Sequence, residues 1–232
     1  DTVEKSPNKA LVHNNLATAY MKNEMLEEAK EELAITLQLN PAQSDAYANL
    51  GHIHFRQEHW NKAIEEFDHA IALGSNKPDT YYFAGLAWSK QKAYGEAIPF
   101  LQKAVSMRSH KTDYHFDLGN AFRLVGSFDE ALQEFRQTLE IQPKHPQAQN
   151  NIGVIFWNLK AYERAEMEFK KALDIQQDLP DIHHNLAALH LINNRYANAI
   201  PYLEQVLKLQ PGNATARKWL DHALGQMKKG PS

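Results

Sequence analysis

The sequence predicts an all-α solenoid, on three observations. A 34-residue pattern recurs six times from Ala10 to Asn213 without one insertion. Every copy carries two apolar stripes at helical spacing. Every copy also keeps a small residue at two fixed positions, where two helices can approach closely. A period of this length signals stacked supersecondary units rather than one globular core.

Numbering positions from Ala10, Ser44, Pro78, Thr112, Pro146 and Pro180 gives repeats 10–43, 44–77, 78–111, 112–145, 146–179 and 180–213. Residues 1–9 read as the tail of an upstream helix or a linker. Thr2, Val3 and Pro7 fall at positions 27, 28 and 32 of an earlier repeat. A first helix is expected over the front half of each repeat, where positions 4, 7, 8 and 11 are spaced i, i+3, i+4, i+7. Position 8 is always small: Ala17, Gly51, Gly85, Gly119, Gly153 and Ala187. Pro78, Pro146 and Pro180 open first helices, where a missing N–H costs nothing. A second helix follows on positions 17, 20, 21, 24, 27 and 28. Position 20 is Ala six times (Ala29, Ala63, Ala97, Ala131, Ala165, Ala199). Position 24 is bulky: Leu33, Phe67, Leu101, Phe135, Phe169 and Leu203. A larger side chain at positions 8 or 20 would overpack the contact between the two helices. Pro41, Pro143 and Pro211 mark position 32 of three repeats.

The array then needs an end. Ala216, Trp219, Leu220, Ala223, Leu224 and Met227 form one more apolar stripe, with Arg217, Lys218, Asp221, Lys228 and Lys229 facing out. Residues 214–228 are therefore expected to be a capping helix, and 229–232 a tail.

Composition narrows the function. The chain of 232 residues is 43% hydrophobic with a net charge of −3, without the basic field that nucleic acid requires. No apolar run is long enough to span a membrane, so no insertion is expected within these residues. With no cysteine there is no disulfide, thiolate nucleophile or Cys-based zinc site, which suits cytoplasm and periplasm alike. The 12 histidines follow no metal-binding motif. His13, His115 and His183 share position 4, and His54 and His190 share position 11, both packing positions. No metal, cofactor or catalytic group is expected. Asp45, Asp79, Asp113 and Asp181 at position 2 suit the helix dipole.

The small residue at position 8, Ala at 20, the large residue at 24 and Pro at 32 together resemble the tetratricopeptide repeat. The resemblance covers residues 10–213. Position 4, often Trp in that family, is His13, Tyr47, Tyr81, His115, Gln149 and His183 here, and position 32 is Ser75, Ser109 and Gln177 in three repeats. It implies a right-handed superhelix with first helices lining a concave groove. Positions 2, 5, 6, 9, 12 and 13 would face that groove.

Position 6 reads Asn15, Asn49, Phe83, Asp117, Asn151, Asn185. Asparagine is costly inside a helix, but an amide offers a donor and an acceptor together and suits the backbone of an extended peptide. The repeat region of O-linked N-acetylglucosamine transferases is similar in this asparagine ladder. Asn120 at position 9 faces the same way. Phe55, Tyr82, Phe83, Leu86 and Phe116 make an aromatic patch in repeats two to four. Val154, Trp157, Ala188, Leu191 and Ile192 make a second apolar stretch. Surface apolar groups that packing does not require point to a partner. Repeat proteins that clamp the C-terminal carboxylate of chaperones carry Lys at position 5, which none of the six repeats does.

The expected function is a non-catalytic scaffold holding a protein or extended peptide in the groove. Two other readings stand beside it: the substrate-recruiting arm of a larger enzyme such as a glycosyltransferase, and a scaffold that self-associates. The opening stretch also resembles the entry to the soluble repeat domain of some bacterial multi-spanning membrane proteins.

Overall fold

The structure is a computed structural model and describes residues 7–228. The expected upstream fragment at Thr2 and Val3, and the tail at 229–232, lie outside the described residues. Among these, the chain is helical throughout, with no strand, and forms two compact units. The first, ending at Ser127, holds α1 (Pro7–Lys22), α2 (Leu26–Leu39), α3 (Ser44–Arg56), α4 (Trp60–Ala72), α5 (Pro78–Lys90), α6 (Tyr94–Met107) and α7 (Thr112–Val125). The second holds α8 (Phe128–Ile141), α9 (Pro146–Asn158), α10 (Tyr162–Ile175), α11 (Pro180–Ile192), α12 (Tyr196–Leu209) and α13 (Ala214–Lys228). Within each unit, consecutive helices pack as hairpins, and each hairpin packs on the next.

The turn inside each repeat has one geometry. Position 15 takes the left-handed conformation every time, at Glu24, Glu58, Lys92, Gly126, Lys160 and Asn194. The following N–H reaches back to the carbonyl five residues earlier, as in His59 to His54 (2.9 Å) and Ala161 to Phe156 (2.9 Å). This is the Schellman closure of a helix C-terminus, which glycine fits best. Only one of the six residues is glycine. Lys160→Gly is therefore expected to raise stability by about 0.5–1 kcal/mol, read as a higher urea midpoint.

The hairpins close on the positions that the pattern singles out. All six alanines at position 20 and all six large residues at position 24 are fully buried. The small residue at position 8 makes room for position 24. A Cβ on Gly51 would stand 2.6 Å from the Phe67 ring, and one on Gly85 would stand 2.7 Å from Leu101. The space needed is thus for a side chain as well as for a backbone.

At three of the repeat junctions the two departures from the family pattern form one device. Where position 32 lacks Pro, its carbonyl accepts a hydrogen bond from the polar ring at position 4 of the next repeat. Tyr81 Oη donates to Ser75 O (3.2 Å), and the Nε2 atoms of His115 and His183 bond Ser109 O (2.8 Å) and Gln177 O (2.7 Å). These histidines are buried and structural.

The last helix departs from expectation in part. Ala216, Leu220 and Ala223 are buried against α12, but Leu224 is 41% and Met227 52% exposed. In register, α13 is the first helix of a seventh repeat, 34 residues after α11. Its position 8 is the exposed Asp221 where every other repeat has Gly or Ala, since no second helix follows among the described residues to press on it.

Candidate functional site

In the first unit, the side chains at positions 5 and 6 form junctions between successive first helices. Asn49 Nδ2 donates to Asn14 Oδ1 (3.1 Å) and to Thr18 Oγ1 (3.4 Å). Tyr82 Oη donates to Asp117 Oδ2 (2.6 Å), and Asn120 also bonds this carboxylate. Each junction joins position 5 of one repeat to position 6 of the next, 35 residues on. Where position 5 is apolar, at Ala48, position 6 of the next repeat is Phe83.

The amides thus have a structural task that the ladder reading did not include. Asn14 is only 5% exposed, so its oxygen depends on Asn49. Asn49→Ala gains roughly half a kcal/mol of helix propensity but strands that acceptor, at about 1–3 kcal/mol. A net loss of about 1 kcal/mol is expected in chemical denaturation. Asn15 stands apart, exposed on α1.

The aromatic patch of this unit packs largely on itself. Phe55 meets Phe83 edge-on at 5.2 Å, Phe83 meets Tyr82 at 5.3 Å, and Tyr82 stacks on Tyr114 at 4.4 Å. His52 lies edge-on to Phe83 at 4.5 Å. Phe55, Tyr82, Phe83, Leu86 and Phe116 are all half-buried, so each keeps some surface open. Burial pushes the Asp117 carboxyl above its usual range, and the Tyr82 hydroxyl pulls it part of the way back. Burial and the same carboxylate push the Tyr82 phenol up.

In the second unit the same junctions recur. Asn185 Nδ2 donates to Asn150 Oδ1 (3.0 Å), and the His184 ring lies against Trp219 at 4.5 Å, again 35 residues apart. Asn151 is half-buried on α9. Beyond these junctions the helix faces open into a pocket of about 570 Å³, lined by Trp157, Ala188, Leu191, Ile192, Lys218, Trp219 and His222. Its apolar wall joins Trp157 of α9 to Leu191 and Ile192 of α11, as the sequence placed them. The sequence reading put Trp219 on the packing stripe of α13 and Lys218 on its outer face; the indole does pack on the core cluster beneath it and Lys218 is exposed, and both also line the pocket. The signal that finds them is register, since Lys218, Trp219 and His222 occupy positions 5, 6 and 9 of a seventh repeat.

Among the described residues, no three His, Asp or Glu side chains converge to hold a metal, and no helix is long and apolar enough to cross a membrane.

Models of the tetratricopeptide repeat match residues 44–77, 78–111, 116–180 and 180–213. The chain is similar to the solved structure of YrrB, described as a repeat protein with an unusual peptide-binding site. The two are 28% identical with a TM-score of 0.74, over 78% of this chain and 94% of that one. It is also similar to PilF of Pseudomonas aeruginosa, at 19% identity and a TM-score of 0.71 over 93% and 98% of the two chains. MamA of Desulfovibrio magneticus follows, at 18% and 0.67 over 73% and 96%. The last two similarities speak for the fold alone. No curated protein sequence matches the chain.

Proposed function

Since this chain belongs to the tetratricopeptide-repeat family of protein-interaction scaffolds, we propose that it is a non-catalytic scaffold that holds an extended peptide segment along its first helices. One observation carries the reading. The pocket of the second unit is walled by Trp157, Trp219 and Leu191, which rest on the cores beneath them but stay only partly buried, and by the exposed Ile192. Ile192 is 55% exposed there. Open apolar surface of this size is kept at a cost in solubility, and an apolar pocket with a few polar groups at its rim is the usual form of a binding site. In the first unit, the open part of the aromatic patch and the exposed Asn15 offer apolar and polar contacts of the same kind. YrrB, with its peptide-binding site, lends weight to a peptide as the ligand.

The test is selection of linear peptides on the intact chain, followed by calorimetry with a selected peptide. Ile192→Asp should weaken binding at least tenfold, because it puts a charge on the apolar wall. The residue is exposed, so the fold should be unchanged by circular dichroism. If no peptide is selected, or if Ile192→Asp binds as well as the parent, the reading fails.

A further inference from the structure

The pocket that supports the proposed function also carries a charge pattern, and the inference drawn from it rests on that reading. Lys218 and His222 are the titratable groups in its lining, and no carboxylate joins them. Lys218 is exposed and has no ion pair among the described residues. Three other basic side chains of this unit are engaged in ion pairs: Lys170 with Glu166, Lys171 with Glu168 and Arg195 with Glu166. Along α9, α11 and α13, the groove-facing positions carry one carboxylate, Asp181, in the first turn of α11. The corresponding positions of the first unit carry Asp45, Asp79, Asp113 and Asp117 together with Lys22, Arg56, Lys90 and Arg123, so charges of both signs mix there. Within the pocket lining of the second unit, by contrast, Lys218 has no carboxylate beside it.

The position of the lysine matters as much as its charge. Lys218 and Trp219 are consecutive on α13, and His184 holds the indole from the α11 side at 4.5 Å. Trp157 is set from below by the buried Phe169, edge-on at 6.4 Å. The apolar wall is thus built on fixed rings, with a cation at its rim. We propose that this pocket takes one large apolar side chain, Leu or an aromatic, of a peptide whose neighbouring residue is Asp or Glu, with Lys218 receiving the carboxylate. Anchoring comes from burial of the apolar side chain between the two indoles, and charge selects among apolar peptides.

The probe is an array of short amidated peptides with a single Leu or Phe, flanked by Glu, by Gln or by Lys. Amidation removes the terminal carboxylate, so only a side-chain acid can answer. The parent chain should retain the Glu peptides about three- to tenfold better than the Gln peptides at low salt, and the Lys peptides least. The preference should shrink as salt is raised. Lys218→Glu, a fully exposed change, should reverse the order. A double variant with Trp157→Ala and Trp219→Ala should lose all three classes. Retention of Glu and Gln peptides to the same degree, lost in the double variant, would remove the acidic preference and leave peptide binding standing. A Glu preference that survives Lys218→Glu would remove the role of Lys218. No array member held better by the parent than by the double variant would remove both proposals.

Discussion

Phe169→Ala is expected to cost about 3–5 kcal/mol of stability, read from urea unfolding. The ring is fully buried in a cluster with Ala165, Ala172, Ile182, Leu186 and Leu189. It also covers Gly153: a Cβ there would stand 2.6 Å from two atoms of the ring. Gly153→Ala alone should therefore overpack the hairpin and cost about 1–3 kcal/mol. In the Phe169→Ala background most of that penalty should vanish, because alanine is the better helix former and the closest remaining atom, Ala165 O, stands 3.3 Å from the new Cβ. The loss of most of the penalty is the diagnostic result in a double-mutant cycle. Equal destabilisation in both backgrounds would mean that the glycine serves something other than the ring above it. Gly225 is a control: nothing lies within 4 Å of a Cβ at that position of α13, so Gly225→Ala should not destabilise. The effect should reach the apolar pocket as well, since Trp157 in its lining rests on Phe169.

Positions 8, 20 and 24 were legible because packing imposes them on every repeat alike. A requirement repeated every 34 residues shows in one sequence without any relative to compare. The apolar stretch at Trp157, Leu191 and Ile192 stands out for another reason: its residues lie off positions 8, 20 and 24, and although Trp157 and Leu191 rest on the cores beneath them, Ile192 is exposed. What escaped depends on the rotation of one helix against the next. Trp219 serves both the packing stripe of α13 and the pocket wall, and its contact with His184 shows only once the helices are in place. The asparagines were read as groove residues, but the partners of Asn49 and Asn185 lie 35 residues away. That offset, one beyond the repeat, comes from the slant between successive first helices. The self-packing of Phe55, Tyr82 and Phe83 is likewise a matter of how close those helices stand.

Acid should weaken the first unit through His52. This imidazole lies edge-on to Phe67 at 5.2 Å and to Phe83 at 4.5 Å. Burial holds its pKa at about 4, with Asp79 opposing and Arg56 and Lys77 assisting. In the unfolded chain the group titrates near its ordinary value of about 6.5. Between those values the unfolded state binds a proton that the folded state refuses. The contribution is therefore complete above about pH 6.5 and is lost as pH falls toward 4. A shift of about 2.5 units corresponds to roughly 3 kcal/mol, and about 2–3 kcal/mol allowing for the partial exposure of the ring. His54 and His190 are also depressed by burial, while Asp117, Glu66 and Asp68 are raised by it, so the raw pH profile mixes several groups. The difference between the parent and His52→Gln isolates one of them. Between pH 7 and pH 4.5 the parent should lose about 2 kcal/mol more than the variant. The loss should appear as faster amide exchange in α3, α4 and α5, which carry His52, Phe67 and Phe83. Parallel pH profiles for the two proteins would show that His52 accepts its proton in the folded state. The aromatic cluster over it would then be open enough to water for Phe55 and Phe83 to meet a ligand directly.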